Sequence, residues 1–227
     1  MNHRGLRQEV ARVAKQLIES GLVTGTSGNV SARTPEGDVL MTPSGIDYEE
    51  LEPGDVVLVD ANGEILEGLL GPSTETPMHT GIYRARPEVG AVVHTHSIYA
   101  TTLACLGWTI PPLHYMLTTL SEDGRIPLAP YATYGTEKLA DYGADALGEG
   151  RNACLLQNHG TITVGDSPEE AFSRTVVLEE MAEIYYRARA VGEPVLLSPE
   201  QVEEVAAKIS GYGQTQPASS DDEGSAG

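Results

Sequence analysis

The chain has 227 residues, 40% of them hydrophobic, which suits one soluble globular domain with a sizeable core. With 14 Lys plus Arg against 33 Asp plus Glu the formal charge is -19, so the global field repels nucleic acid and anionic membrane surfaces alike. No stretch approaches the roughly 18 to 20 apolar residues of a membrane span and the N-terminus shows no apolar signal segment. The two cysteines, Cys105 and Cys154, stand in apolar surroundings that fit buried thiols in a reducing compartment, so the expected location is cytoplasmic.

Taken in chain order, Leu6, Val10, Val13, Leu17 and Ile18 recur at helical spacing and predict a helix from about His3 to Gly21, where glycine supplies the stop. Short strands are expected at 29–33, 39–41, 55–59 and 64–67, with Ala61-Asn62-Gly63 as a hairpin turn. A helix from Thr76 to Ala85 packs Met78, Ile82 and Tyr83 and ends before Pro87. The run 90–96 reads as a buried strand leading into a helix over about 97–106, with Ser97 as N-cap. The run 153–160 reads as another buried strand, broken at Gly160. Helices are also expected at about 136–147, capped by Thr136, at 168–191, opened by Ser167 and Pro168, and at 199–209. Residues 213–227 are rich in Ser, Gly and acids, including Asp221-Asp222-Glu223, and read as a disordered tail behind a single domain of residues 1–212. This strand pattern leaves both a parallel and an antiparallel sheet open.

Three of the six histidines form a pattern. In Gly90-Ala91-Val92-Val93-His94-Thr95-His96 the strand period of two sends His94 and His96 out of the sheet on the same face. His159, at the end of the run 153–160, is placed to deliver a third nitrogen from a neighbouring position. Three neutral imidazoles with one position left open is the usual way to hold a catalytic zinc. A His-x-His pair alone is equally a polar strand end, and His3, His79 and His114 need no metal.

Gly25-Thr26-Ser27-Gly28-Asn29, Thr42-Pro43-Ser44-Gly45 and Gly71-Pro72-Ser73-Thr74 are three loops of one chemical type. Each joins a glycine, which lets the backbone approach closely and turn its N–H groups outward, to hydroxyl donors. Singly they are ordinary turns; together they can cradle a phosphate without a cation, which overcomes locally the repulsion of so acidic a chain. Glu75 follows the third loop, where a carboxylate can serve as a fourth metal ligand, as a general base, or as the acidic residue that favours a helix start.

Gly-Thr-Ser-Gly-Asn at 25–29, Pro-Ser-Gly-Ile at 43–46, Ser-Thr-Glu at 73–75, His-Thr-His at 94–96, Ala-Pro-Tyr at 129–131 and Asn-His-Gly at 158–160 together resemble the metal-dependent class II sugar-phosphate aldolases of the L-fuculose-1-phosphate aldolase type. The resemblance spans about residues 5 to 212. It implies an α/β fold, a single three-layer α/β/α domain around a mainly antiparallel central sheet, assembled as a homotetramer with sites at subunit interfaces. It also implies zinc, or another divalent metal such as Mn²⁺ or Co²⁺, on His94, His96, His159 and Glu75, and a substrate phosphate on Gly28, Asn29, Ser44, Gly45, Ser73 and Thr74. By the same resemblance Glu75 is the base, Tyr115 the proton donor reaching a neighbouring subunit's site, and Tyr212 a C-terminal tyrosine that helps close it. Tyr134 stands where the typical enzyme has another aromatic. The implied reaction cleaves a ketose 1-phosphate to dihydroxyacetone phosphate and an aldehyde such as L-lactaldehyde.

Three other readings share the fold. Ribulose-phosphate 4-epimerases typically carry Asp at the position of Glu75 and a further acid near Tyr115, and methylthioribulose-phosphate dehydratases place a Glu in that segment. This chain has Glu75 and no acid between Trp108 and Ser121. A non-catalytic adducin-like module is expected to lose metal ligands, and all three histidines are present.

Overall fold

The computed structural model describes residues 2–209; the expected acidic tail and Tyr212 lie outside the described residues. Eight strands form one sheet: β1 (Asn29–Arg33), β2 (Val39–Met41), β3 (Val57–Val59), β4 (Ile65–Glu67), β5 (Ala91–Thr95), β6 (Leu128–Ala129), β7 (Ala153–Leu156) and β8 (Gly160–Gly165), in the order β4-β3-β2-β1-β5-β8-β7-β6. Every pairing is antiparallel except that of β6 with β7. The strand pattern left this point open; the register decides it.

Helices cover both faces. On one side α1 (Arg4–Glu19) buries Val10, Val13 and Leu17 against Val30, Leu40, Ala91 and Val93. On the same side α3 (Ile98–Cys105) and α5 (Pro168–Val191) close over Ala153 and Leu155. On the other side α2 (Thr76–Ala85) and α4 (Glu137–Leu147) pack Met78, Ile82 and Leu139 on Val92, Cys154, Leu156 and Ile162. Alternate residues of β5 and β7 thus serve opposite layers, as the strand period requires, and each fully buried Leu, Val or Ile contributes roughly 1.5–3 kcal/mol. The result is the three-layer α/β/α domain. A last helix, α6 (Pro199–Ile209), packs on a 3₁₀ turn at Tyr115–Thr119.

The caps follow local chemistry in part. Thr136 accepts from Leu139 N–H at the start of α4, and Ser167 from Glu170 N–H at the start of α5. Ser97 occupies the N-cap position of α3 but makes no cap bond; the α3 amides of Tyr99 and Ala100 donate instead to the Glu179 carboxylate of α5, at 2.7 and 2.9 Å. A charged acceptor from the neighbouring helix displaces the local hydroxyl. Cys154 is buried as expected, but Cys105, at the last turn of α3, is exposed. Two strands escaped the sequence pattern: the two-residue β6, and β8, whose opening Gly160 reads as a break although Thr161-Ile162-Thr163-Val164 is rich in β-branched residues. No described helix is long and apolar enough to cross a membrane.

Candidate active site

The missing strand builds the site. β8 lies between β5 and β7, so the β7–β8 hairpin carries His159 in its turn, beside the end of β5, and not at a strand end. His94 is the last inward residue of β5 on the α2 side and His96 follows it on the same face, with their Nε2 atoms 3.0 Å apart. The three imidazoles meet edge to face, with centroids 4.9 to 5.1 Å apart. Glu75, at the start of α2, completes the group: its Oε2 lies 3.0 Å from His94 Nε2 and its Oε1 3.1 Å from His159 Nε2. One donor atom from each of the four lies within 4.8 Å of the others.

The protons show what this cluster wants. His94 Nδ1 is 2.8 Å from the Thr161 carbonyl oxygen, an acceptor, so Nδ1 carries the hydrogen and Nε2 of the neutral ring presents a lone pair. That lone pair faces a carboxylate oxygen and a second imidazole nitrogen, all acceptors crowded on one point. Glu75 Oε1 is buried and makes no hydrogen bond among the described residues. A cation at the centre relieves both conditions, and three imidazoles with a carboxylate form a donor set that suits a divalent metal. Burial by itself raises the Glu75 carboxyl, and positive charge at His94 and His159 is what would lower it.

A cavity of about 410 Å³ opens onto the cluster. Gly28, Asn29, Ser44, Gly45, Ser73 and Thr74 all line it, together with Glu75, His96 and His159, so the three loops converge as a set. Gly28 shows why one of them is glycine: its φ is +84°, and a Cβ there would stand 2.8 Å from the His94 carbonyl oxygen. The buried hydroxyl of Tyr48 donates to the Gly28 carbonyl oxygen at 2.7 Å and lies 3.2 Å from Thr42 Oγ1, tying the first loop to the second. A larger cavity, about 1070 Å³ between the 3₁₀ turn, α5 and α6, contains no member of the cluster or the loops.

Tyr134 lines the site cavity and so does Tyr131, to which the sequence assigned no role; its N–H donates to Gln157 Oε1 of the β7–β8 turn. Tyr115 does not line it. It sits half exposed on the 3₁₀ turn against His114, at a centroid distance of 4.7 Å. His79, set aside as needing no metal, is fully buried behind the cluster, and burial pushes its imidazole down to about 3, so the ring is neutral. Its spacing of four from Glu75 on one helix was the available signal.

Residues 8–186 match the class II aldolase and adducin N-terminal domain as a family. The chain belongs to that family. It is 42% identical over 209 residues to 5-deoxy-D-ribulose 1-phosphate aldolase of Bacillus thuringiensis serovar kurstaki, covering 92% of this chain and 97% of the relative. It is 38% identical over 214 residues to L-fuculose phosphate aldolase of Escherichia coli K12, covering 94% and 98%. A solved L-fuculose 1-phosphate aldolase superposes with a TM-score of 0.88 at 40% identity, covering 92% and 98%. These relatives are named as aldolases, and this class II aldolase has a Glu75, His94, His96 and His159 cluster that could bind a metal.

Proposed function

We propose that the protein is a zinc-dependent aldolase that reversibly cleaves a ketose 1-phosphate, L-fuculose 1-phosphate or a similar 5-deoxy-pentulose 1-phosphate, to dihydroxyacetone phosphate and an aldehyde. The observation that carries this reading is one cavity walled on one side by three Gly/Ser/Thr loops and on the other by Glu75, His96 and His159. Both relatives named above act, by their names, on sugar phosphates.

The loops bind the phosphate with the hydroxyls of Ser44, Ser73 and Thr74 and with backbone N–H groups, so no cation is spent on it. His94, His96 and His159 hold the zinc, with Glu75 as the fourth ligand. When bound, the metal supplies Lewis acidity that stabilises negative charge on the ketose oxygens. In the cleavage direction Tyr115, from a neighbouring subunit of a homotetramer, accepts the proton of the substrate's C4 hydroxyl. The C3–C4 bond breaks, its electron pair stays on C3, and the aldehyde leaves. Glu75, displaced from the metal position when substrate binds and protonated from solvent, gives that proton to C3, while Tyr115 returns the C4-hydroxyl proton to solvent; synthesis is the reverse. The half-exposed position of Tyr115 outside its own chain's cavity supports the intersubunit role. Tyr212 helps close the site.

The aldehyde follows from carbon counting: a 6-deoxyhexulose phosphate leaves lactaldehyde and a 5-deoxypentulose phosphate leaves acetaldehyde. A panel of ketose 1-phosphates, assayed for released dihydroxyacetone phosphate beside a ribulose-phosphate epimerisation control, tests the reading. Release from at least one ketose without epimerisation is expected; epimerisation without cleavage would overturn it.

A further inference from the structure

Behind the site, five buried side chains are hydrogen-bonded in line. Tyr83 OH and Ser31 Oγ are 2.8 Å apart, Ser31 Oγ and His79 Nδ1 2.7 Å, His79 Nε2 and Asn29 Oδ1 2.5 Å, and Asn29 Nδ2 stands 3.0 Å from Glu75 Oε2. All five residues are at least nine-tenths buried. The direction of each bond follows from the carboxylate end. Ionised Glu75 only accepts, so Asn29 turns its NH₂ toward it; the opposite flip would press an amide oxygen on a carboxylate. Asn29 Oδ1 then faces His79 and needs an N–H, which puts the imidazole proton on Nε2. His79 Nδ1 in turn accepts from the Ser31 hydroxyl, and Ser31 accepts from Tyr83. Every link donates toward Glu75.

We propose that His79 is a positioning residue that locks the Asn29 amide with its N–H on Glu75 and so keeps the carboxylate aimed at the metal position, while Ser31 and Tyr83 fix the His79 tautomer. His79 does not line the cavity and acts only through Asn29. The chain runs from α2 through β1 and back: Ser31 and Asn29 are alternate residues of β1, and Glu75 and His79 are one helical turn apart on α2. This assignment also changes the reading of Asn29. Both ends of its side-chain amide are committed to Glu75 and His79, so its first duty is to the carboxylate, whatever its remaining N–H gives a phosphate. The inference rests on the reading that the Glu75 and histidine cluster holds zinc.

The test is zinc affinity, measured by chelator competition on the full chain without substrate. His79→Leu removes both hydrogen bonds and keeps the site apolar; zinc affinity should fall about 10- to 100-fold, the usual loss for a residue that orients a metal ligand. His79→Gln, whose amide can donate to Asn29 and accept from Ser31, should recover most of the affinity. Beside Glu75→Gln, His79→Leu should have little further effect, because its action passes through the carboxylate. Ser31→Ala deletes one hydroxyl and repeats the cycle one link further away, with a smaller loss that again disappears beside Glu75→Gln. Equal losses in both backgrounds, or unchanged affinity in His79→Leu, would overturn the proposal. A protein that cleaves no ketose phosphate would overturn the proposed reaction and leave the zinc cycle to decide the relay by itself.

Discussion

Glu75 Oε1 lies 3.1 Å from His159 Nε2, and it makes no hydrogen bond among the described residues. A carboxylate at the N-cap of α2 and an imidazole in the β7–β8 turn are thus brought together from elements far apart in the sequence. A cation bound there would give both atoms a common partner.

The purified protein should therefore contain about one zinc per chain. His94→Ala and His159→Ala should each lose most of it, since each removes one of the three nitrogens. Metal analysis after dialysis decides the matter; variants that bind zinc as well as the parent would show that the ligand assignment is wrong.

Glu75→Gln should still bind zinc through the three histidines, yet lose proton removal from dihydroxyacetone phosphate. Loss of a general base costs on the order of 10²- to 10⁴-fold in rate. Exchange of the substrate's C3 proton with solvent, followed by NMR, isolates this step from the aldehyde. Near-parental exchange would remove Glu75 from the chemistry.

Gly160→Ala should damage fold and site together. A Cβ at Gly160 would stand 2.3 Å from the Thr95 carbonyl oxygen and 2.8 Å from His96 Cδ2. Backbone must move to admit it, at a cost of about 1–3 kcal/mol, and the movement displaces His96. Denaturant unfolding of the metal-free protein should show the lost stability, and zinc titration the lost affinity. A variant unchanged in both would contradict the packing described for the β5 and β8 ends.

Mixing Tyr115→Phe chains with Glu75→Gln chains, after dissociation and reassembly, should restore part of the cleavage that each variant lacks alone. Some sites in a mixed assembly then hold an intact base from one chain and an intact donor from another. Verified mixed assemblies with no more activity than the separate variants would mean that Tyr115 serves its own subunit or none.

The sequence alone determined what depends on local periodicity and local chemistry. His94 and His96 share a face because strand side chains alternate. The helices at 76–85, 136–147 and 168–191 follow from apolar spacing and from Thr136, Ser167 and Pro168, and the three Gly/Ser/Thr loops stand out by their composition. Tertiary structure decided the rest. The α3 cap went to Glu179 because a distant carboxylate outcompetes a local hydroxyl. Antiparallel order, and the insertion of β8 between β5 and β7, are long-range pairings that no residue spacing encodes, and only that insertion sets His159 beside His94. Asn29 reaches Glu75 because β1 pairs with β5 in the register that sets Asn29 opposite His94. The sequence said of His79 only that it needs no metal, because its hydrogen-bond partner Asn29 is supplied by the packing of α2 on β1: a hydrogen-bond chain depends on distances through space, and sequence records distance only along the chain.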